Sequence, residues 1–193
     1  MSVRTREEYF ESVRKQEPEA YLMGEKVKPA ADNPRFWTGM NSIAGTYDMA
    51  HDPEFSALAR TKSPLTDETV TRWTYLPQST DDAFRRVELM RETVHRYFCV
   101  ARCLMVDTGS ALWVATWEMD RKLGTNYHQR FIDYWKYVQK NDLAIATACT
   151  DVKGDRMKRP GEQADPDFYL HIVERRPDGI VVRGAKTHIT GIL

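Results

Sequence analysis

Two cysteines four residues apart, Cys99 and Cys103, are the residues of this sequence whose type and spacing could do chemistry. On an α-helix, residues at i and i+4 stand one turn apart on the same face. Two thiolates in that relation can hold two corners of a metal centre. His95 shares the stripe, but it lies about 12 Å from Cys103 along the axis, and zinc reaches only about 2.0–2.3 Å to each ligand. A metal here would therefore take two cysteines and find its remaining ligands elsewhere.

The same spacing is also typical of a packed helix without a metal. Free cysteine is among the residue types that are most often buried, and it then behaves as a small apolar side chain. The spacing by itself leaves both interpretations open.

One long helix is predicted to carry both cysteines. The segment over residues 79–123 has no proline and a single glycine, Gly109. Ser79 supplies a hydroxyl and Asp82 an acidic first turn, as at a helix N-terminus. A break or kink is expected at Thr108-Gly109. Two stripes recur at helical spacing: Val87, Met90, Val94 and Phe98, and Leu89, Thr93 and Tyr97.

The segments around this helix are mainly helical. Thr5-Arg6-Glu7-Glu8 is typical of a capping box and predicts a helix to about Gln16. The aromatic stripe of the last predicted helix is interpreted as core packing. The other predictions are a hairpin or extended piece at 21–27, a helix from about 34 to 50, weak strands at 62–77, a turn at 124–126 and a helix at 127–140.

After residue 141 the pattern changes from helical to extended. Strands are predicted at 144–148, 168–174 and 180–190, the last with a bulge at Gly184, and a turn at Pro177-Asp178-Gly179. We therefore expect a helical domain, residues 1–141, and the beginning of a β-domain, residues 142–193. A lone hairpin is marginally stable, so we expect the polypeptide to be the front portion of a longer one.

The composition restricts partners and compartment. The 193 residues carry 28 Lys and Arg against 28 Asp and Glu, which gives no reason to expect nucleic acid or a membrane as partner. No apolar run approaches the about 20 residues of a membrane span, and the N-terminus lacks the apolar core of a signal peptide. The three cysteines form no disulfide pattern, so a cytoplasmic protein is expected.

Several blocks of the sequence, taken in order, resemble one known family. They are YLMGEKV at 21–27, QSTDD at 78–82, GTNYH at 124–128, TDVKGDR at 150–156 and GIVVRGAK at 179–186. The chain is similar over essentially its whole length to the 4-hydroxyphenylacetate hydroxylase / 4-hydroxybutyryl-CoA dehydratase family. The resemblance implies an acyl-CoA dehydrogenase-like fold, mainly α with a small β part. This chain would supply its N-terminal helical domain and the start of its middle β-domain.

The resemblance also implies a role for the paired cysteines. The dehydratase branch of the family holds a [4Fe-4S] cluster with three cysteines and one histidine, and it carries C-x3-C where Cys99 and Cys103 stand. Thiolates are the expected ligands of such clusters. The other two ligands and most acid–base residues would lie beyond this chain, so no catalytic residue is assigned. His95 matches no family ligand, and Cys149 is interpreted as a packed thiol that contributes its backbone.

A flavin site is implied by two further blocks, a loop and a strand that we expect to lie side by side. Lys153 and Arg156 would meet a pyrophosphate or CoA phosphate, and Thr190 would bond to the polar edge of the flavin. The implied FAD contacts are Cys149, Thr150, Asp151, Val152, Lys153, Gly154, Asp155 and Arg156 in the loop, and His188, Ile189 and Thr190 in the strand.

The activity that the resemblance implies is dehydration of 4-hydroxybutyryl-CoA to crotonyl-CoA, together with isomerisation of vinylacetyl-CoA. A one-electron oxidation by FAD would acidify the β-proton, and the cluster would act as a Lewis acid. The full-length protein would be a homotetramer acting on a CoA thioester, and this chain alone would be inactive. Two alternatives remain: part of a flavin-dependent 4-hydroxyphenylacetate 3-monooxygenase, or a non-catalytic helical domain with buried thiols.

Overall fold

A computed structural model describes residues 3–99, 102–189 and 191 of the chain. These residues divide into two units on either side of the bond between Ile145 and Ala146. The first unit is mainly helical and the second contains short strands, so the predicted fold class is confirmed. The division into domains at 1–141 and 142–193 stays a prediction.

The helices of the first unit begin where the sequence provides caps. Thr5 accepts the backbone N–H of Glu8, and the Glu8 side chain accepts the N–H of Thr5, so the predicted capping box is confirmed. Ser79 likewise accepts the N–H of Asp82. The helices are α1 (Arg6–Gln16), α2 (Trp37–His51), α3 (Ser56–Ala59), α4 (Thr80–Tyr97), α5 (Cys103–Leu123) and α6 (Tyr127–Lys140).

Two antiparallel hairpins connect these helices. Strands β1 (Ala20–Leu22) and β2 (Glu25–Val27) form the first, as predicted for residues 21–27. Strands β3 (Arg60–Lys62) and β4 (Thr69–Thr71) form the second, within the segment predicted to be weakly stranded.

The single long helix predicted over residues 79–123 is wrong. α4 ends at Tyr97 because Phe98 takes the left-handed conformation, φ +59°, and donates its N–H to the carbonyl of Val94. Cys99 therefore lies outside both helices, whereas Cys103 is the first residue of α5. The two cysteines do not share one helical face.

The break predicted at Thr108-Gly109 is also wrong, because Gly109 is buried inside α5. A Cβ atom built on Gly109 would lie 2.4 Å from Cη2 of Trp135. Glycine at this position serves the close packing of α5 against α6 and does not interrupt the helix.

The core lies between the amphipathic faces of neighbouring helices. Of the two stripes predicted on α4, Leu89 and Thr93 are fully buried, whereas Val87 and Val94 are exposed. Tyr9 of α1 stacks on Tyr47 of α2 with ring centroids 5.5 Å apart. The core also contains Met40 and Ile43 of α2, Val106 of α5, and Phe131, Trp135 and Val138 of α6. The interpretation of the aromatic stripe as core packing is confirmed for Phe131 and Trp135, whereas Tyr134 and Tyr137 of the same stripe are exposed.

The second unit contains two antiparallel strand pairs. β5 (Thr150–Asp151) pairs with β8 (Lys186–Thr187), and β6 (His171–Arg176) pairs with β7 (Gly179–Arg183). The predicted strand at 144–148 is wrong, because those residues are not in a strand.

The turn predicted at Pro177-Asp178-Gly179 is confirmed, since it joins β6 to β7. The bulge is not at Gly184: the register shifts in β6, between Ile172 and Glu174. Gly184, with φ +138°, instead separates β7 from β8, and a Cβ there would lie 2.4 Å from the Tyr169 carbonyl oxygen. In the part of the chain that is described, every helix is too short or too polar to cross a bilayer.

Candidate cofactor site

The paired cysteines lie at the junction between α4 and α5. Cys99 is exposed, Cys103 is half-buried, and both are free thiols. Arg86 of α4 donates from Nη2 to the carbonyl of Cys103 at 3.1 Å and to Asp107 Oδ1 at 2.7 Å. The junction is therefore tied to α4 by a side chain and not by continued helical hydrogen bonding. Val100 lies outside the described residues, as does Ala101.

The surroundings of Cys103 favour its neutral form. Burial raises the pKa of its thiol, the negative charge of Asp107 adds to this, and Arg86 opposes it. The Cys99 thiol contributes a smaller effect that also raises the pKa of Cys103. A cation or metal bound here would have to supply the attraction that stabilises two thiolates.

Arg102, directly before Cys103, is the most strongly anchored residue of the junction. Its side chain is 1% exposed and its Nη2 atom donates to Asp142 Oδ1 at 2.7 Å. The same Nη2 donates to the Leu143 carbonyl at 3.1 Å, and Nη1 donates to Thr46 Oγ1 at 3.3 Å. The guanidinium carbon lies 4.4 Å from the centroid of the Tyr47 ring.

Asp142 is held equally well from its other sides. Thr71 Oγ1 donates to Oδ1 at 2.7 Å, and the backbone N–H of Arg4 donates to Oδ2 at 3.2 Å. The Tyr47 hydroxyl donates to the Asp142 carbonyl at 2.9 Å. The pair of Arg102 and Asp142 thus connects the cysteine junction to the N-terminus, α2, β4 and the end of α6.

The described residues supply two soft ligands and not a complete metal site. Within the described ranges, no three His, Cys, Asp or Glu side chains are grouped so that they could hold a metal ion. Cys99 and Cys103 are candidates for two corners of a thiolate-ligated group because both are free thiols at the junction between α4 and α5. Any further ligands must come from residues outside the described part of this chain.

In the second unit, the loop and the strand predicted to lie side by side do so. Thr150 pairs with Thr187 and Asp151 with Lys186. Lys186 Nζ also forms an ion pair with the Asp151 carboxylate and donates to the carbonyl of Cys149 at 3.3 Å. The predicted adjacency is confirmed for this pairing.

The loop after β5 has an unusual backbone. Lys153 and Gly154 both have positive φ, +76° and +57°, which only glycine adopts without strain. Gln163 closes the loop, since its Oε1 accepts the N–H of Asp155 at 2.9 Å and its Nε2 donates to the carbonyl of Asp155 at 2.8 Å. Arg156 is exposed.

The remaining predicted flavin contacts have varied surroundings. Cys149 is exposed, so its interpretation as a packed thiol is wrong, although its carbonyl does accept a hydrogen bond. Val152 is exposed, Ile189 is half-buried, and His188 has φ +57°. Thr190 lies outside the described residues.

The sequence reasoning missed three residues: Arg102, Asp142 and Gln163. Arg102 could have been found, because a lone cation in the otherwise apolar run from Val100 to Val106 signals a buried ion pair. Asp142 could not have been found, because its partner Arg102 is 40 positions away. Gln163 bonds to Asp155 only eight positions away, but no sequence motif marks that contact.

Comparison with known proteins identifies the class to which this chain belongs. The family model described as 4-hydroxyphenylacetate 3-hydroxylase N terminal matches residues 5–193. The chain therefore belongs to this family, and the resemblance seen in the sequence is confirmed.

Individual relatives divide into two groups. The chain is 46% identical over 188 residues to 4-hydroxybutyryl-CoA dehydratase/vinylacetyl-CoA-Δ-isomerase of Clostridium aminobutyricum, over 97% of this chain and 38% of that protein. It is 26% identical over 195 residues to the 4-hydroxyphenylacetate 3-monooxygenase oxygenase component of Geobacillus sp. (strain PA-9), over 96% of this chain and 38% of that protein. The chain thus spans 38% of the length of each of these two relatives.

Solved structures divide in the same way. An oxygen-tolerant archaeal 4-hydroxybutyryl-CoA dehydratase from N. maritimus matches with a TM-score of 0.90 and 38% identity, over 97% of this chain and 37% of that one. A second match is the oxygenase component HpaB of 4-hydroxyphenylacetate 3-monooxygenase, complexed with FAD and 4-hydroxyphenylacetate. Its TM-score is 0.76 and its identity 23%, over 95% of this chain and 38% of that one. The second match is a likeness of fold alone.

Proposed function

We propose that this chain is the N-terminal part of a dehydratase that uses FAD and a [4Fe-4S] cluster to convert 4-hydroxybutyryl-CoA to crotonyl-CoA, with vinylacetyl-CoA isomerase activity. The observation that carries the proposal is the 46% identity over 97% of the chain to the clostridial dehydratase/isomerase. Identity to the oxygenase component of the monooxygenase is 26%. The catalytic acid and base would lie outside this chain, so the chain alone is inactive.

Cys99 and Cys103 would hold two corners of the cluster. Two free thiols at an interhelical junction, one exposed and one half-buried, can reach adjacent corners of a cluster while one side stays open to ligands from the rest of the enzyme. When bound, the cluster would supply a Lewis acid and the flavin a one-electron oxidation. The chain's own contribution is to present both thiols from a junction that Arg86 and Arg102 hold in place.

The loop at 149–156 and the strand that follows Gly184 would form one wall of the FAD site. Antiparallel pairing of β5 with β8 places the two segments side by side, and adjacent strands sit about 4.8 Å apart. Lys153 and Arg156, both exposed, are suited to a pyrophosphate or a CoA phosphate because a cation is the natural partner of that group. The Thr190 hydroxyl would bond to the polar edge of the flavin.

The proposal extends to partners and compartment. The substrate would be a CoA thioester, and the full-length protein would be a cytoplasmic homotetramer. Neither nucleic acid nor a membrane is proposed as a partner, because 28 cations balance 28 anions in the sequence.

Substitution of single cysteines in the complete enzyme tests the cluster. Cys99→Ser or Cys103→Ser should remove iron, sulfide and dehydratase activity together, because each takes away a thiolate ligand. Cys149→Ser is the control and should keep the cluster, since Cys149 is not one of the two proposed ligands. Equal loss of iron from all three variants, measured after anaerobic purification, would contradict the assignment. The isolated chain should bind no stoichiometric four-iron cluster under the same conditions.

Thr190→Val in the complete enzyme tests the flavin wall. The change removes a hydroxyl at similar size, so FAD content should fall, or the flavin potential should shift, with the fold kept. If FAD content and potential are both unchanged, Thr190 does not belong to the site.

The second candidate is an aromatic hydroxylase, which the relatives at 26% identity favour. It requires no cluster. A complete enzyme that contains no iron and hydroxylates 4-hydroxyphenylacetate with reduced FAD and oxygen would replace the dehydratase proposal.

A further inference from the structure

We propose that Arg102 is a positioning residue for the cysteine pair. Its buried interaction with Asp142 fixes the junction from which the thiols of Cys99 and Cys103 project. The proposal rests on the proposed function in so far as the thiols are ligands of a cofactor. It adds a role for a residue that touches no cofactor itself.

The first support is that α4 and α5 do not join into one continuous helix. α4 ends at Tyr97 and α5 begins at Cys103, so a helical hydrogen-bond ladder does not set the distance between the two thiols. Two described arginine side chains tie the junction to the rest of the unit: Arg102 through three acceptors and Arg86 through the Cys103 carbonyl. The position of Cys103 therefore depends on these side chains as well as on its packing against the core cluster that contains Met49 and Trp73.

The second support is the geometry of the guanidinium. The two terminal nitrogens of Arg102 donate to Asp142, Leu143 and Thr46, three acceptors on two different parts of the fold. A planar fork that meets several acceptors fixes the direction of the side chain as well as its distance. The face of the fork lies on the Tyr47 ring, so rotation is blocked too.

The third support is energetic. Both partners of the ion pair are buried, 1% and 0% exposed, and well-packed apolar residues often stabilise a core as much as a buried ion pair does. A buried pair of this kind is therefore better explained by the geometry that it imposes than by stability. Arg102, which forms this ion pair, directly precedes Cys103 in the chain, so fixing the Arg102 side chain also restricts the backbone at Cys103.

A matched comparison of two buried arginines tests the proposal. Arg72 resembles Arg102: it is 7% exposed, its Nη1 lies 3.3 Å from Asp82 Oδ1, and its Nε donates to the Leu58 carbonyl. Its partner Asp82 lies one turn before Arg86 on α4, and Arg86 bonds to the Cys103 carbonyl, so Arg72 belongs to the same part of the unit but is not adjacent to Cys103 in the chain. Arg72→Lys and Arg102→Lys therefore make the same chemical change at a buried arginine that does not adjoin Cys103 and at one that does.

The measurement is the affinity of the reduced chain for phenylarsine oxide, which binds two neighbouring thiols at once. Cys149→Ser is the background for all variants, so that Cys99 and Cys103 are the remaining thiols. Partners behind a metal ligand change affinity by about 10- to 100-fold. We expect Arg102→Lys to raise the dissociation constant by at least about tenfold, and Arg72→Lys to change it less than about twofold. Circular dichroism gives the folded fraction of each variant.

Each outcome decides the proposal. Equal dissociation constants for the two folded lysine variants would overturn it. If Arg102→Lys does not fold, the double variant Arg102→Met/Asp142→Leu is used, because it replaces the ion pair by apolar side chains. An arsenical dissociation constant equal to that of the wild type in the folded double variant would also overturn the proposal.

The same experiment separates this proposal from the proposed function. If the unsubstituted chain itself fails to bind the arsenical, the thiols are not neighbours and both proposals fail. If Arg102→Lys weakens arsenical binding but cysteine variants of the complete enzyme keep their iron, the positioning role stands and the cluster assignment fails.

Discussion

Gly109 is the position where one added methyl group should cost the first unit most. A Cβ atom built there would lie 2.4 Å from Cη2 and 2.7 Å from Cζ2 of Trp135, and real Cβ contacts essentially never fall below 3.0 Å. The indole cannot easily withdraw. Trp135 is 2% exposed, its Nε1 donates to the Thr74 carbonyl at 2.8 Å, and its ring stacks on Phe131 with centroids 5.6 Å apart.

The magnitude of Gly109→Ala follows from opposing effects. Alanine gains about 1 kcal/mol over glycine in a helix interior. Overpacking costs about 1–3 kcal/mol, and a weakened bond from Trp135 to Thr74 costs about 1 kcal/mol more. The free energy of unfolding should therefore fall by about 1–3 kcal/mol, although helix propensity alone predicts an increase.

Urea titration followed by tryptophan fluorescence measures this change. All the tryptophans lie in the first unit, at positions 37, 73, 113, 117 and 135, so the signal reports that unit. With a urea slope of about 2 kcal/mol per M, the midpoint should fall by about 0.5–1.5 M. Gly39→Ala in α2 is the control: Gly39 is exposed with no atom within 4 Å of the built Cβ, and its midpoint should stay or rise. A Gly109→Ala midpoint equal to or above that of the unsubstituted chain would refute the packing argument.

Two further predictions concern helix starts. Thr5→Ala removes the hydroxyl of the capping box and should lower the free energy of unfolding by about 1 kcal/mol, whereas Thr5→Ser should keep most of it; equal urea midpoints for the two variants would contradict this. Asp82 is partly desolvated, which raises its pKa, but bonds from Gln78 N–H and the Ser79 and Tyr75 hydroxyls outweigh burial and hold the pKa below its usual value. Its stabilising contribution is therefore complete above the unfolded-state pKa of about 3.9 and is lost as the pH falls through the lower folded-state value. Asp82→Asn should flatten the acid side of the stability curve below about pH 4, and an unchanged slope of urea midpoint against pH would argue against it.

The sequence correctly predicted those helix starts and turns that depend on hydrogen bonds between residues close together in the chain. The capping box at Thr5 and the turn at Pro177-Asp178 depend on residues within a few positions of each other, so a single sequence contains the cause. The end of α4 does not follow from such a signal, because Phe98 adopts a left-handed conformation that is usual for glycine. The strand predicted at 144–148 failed because small apolar residues fit both a strand and an extended segment without strand pairing.

The candidate site could be predicted only in part. Cys99 and Cys103 as metal ligands stay a prediction, and the common helix assumed for them was wrong, since they lie at the junction between α4 and α5. The placement of the loop beside the strand in the second unit was predicted from the extended pattern after residue 141 together with the family resemblance of the two blocks, and the pairing of Thr150 with Thr187 confirms it. The anchor of the junction could not be predicted, because Asp142 is 40 positions from Arg102 and becomes its partner only through tertiary packing.

The span between Arg102 and Asp142 sets an order of events during synthesis. The two residues flank the hairpin of α5 and α6, so the ion pair can close only after both helices have been made. During translation at about 5–20 residues per second, Cys99 and Cys103 leave the ribosome seconds before the carboxylate that will anchor their backbone. In that interval the thiols are part of a chain without its anchor and open to oxidation or to the wrong metal. The cofactor proposed for these thiols would therefore be loaded only after the hairpin of α5 and α6 is complete.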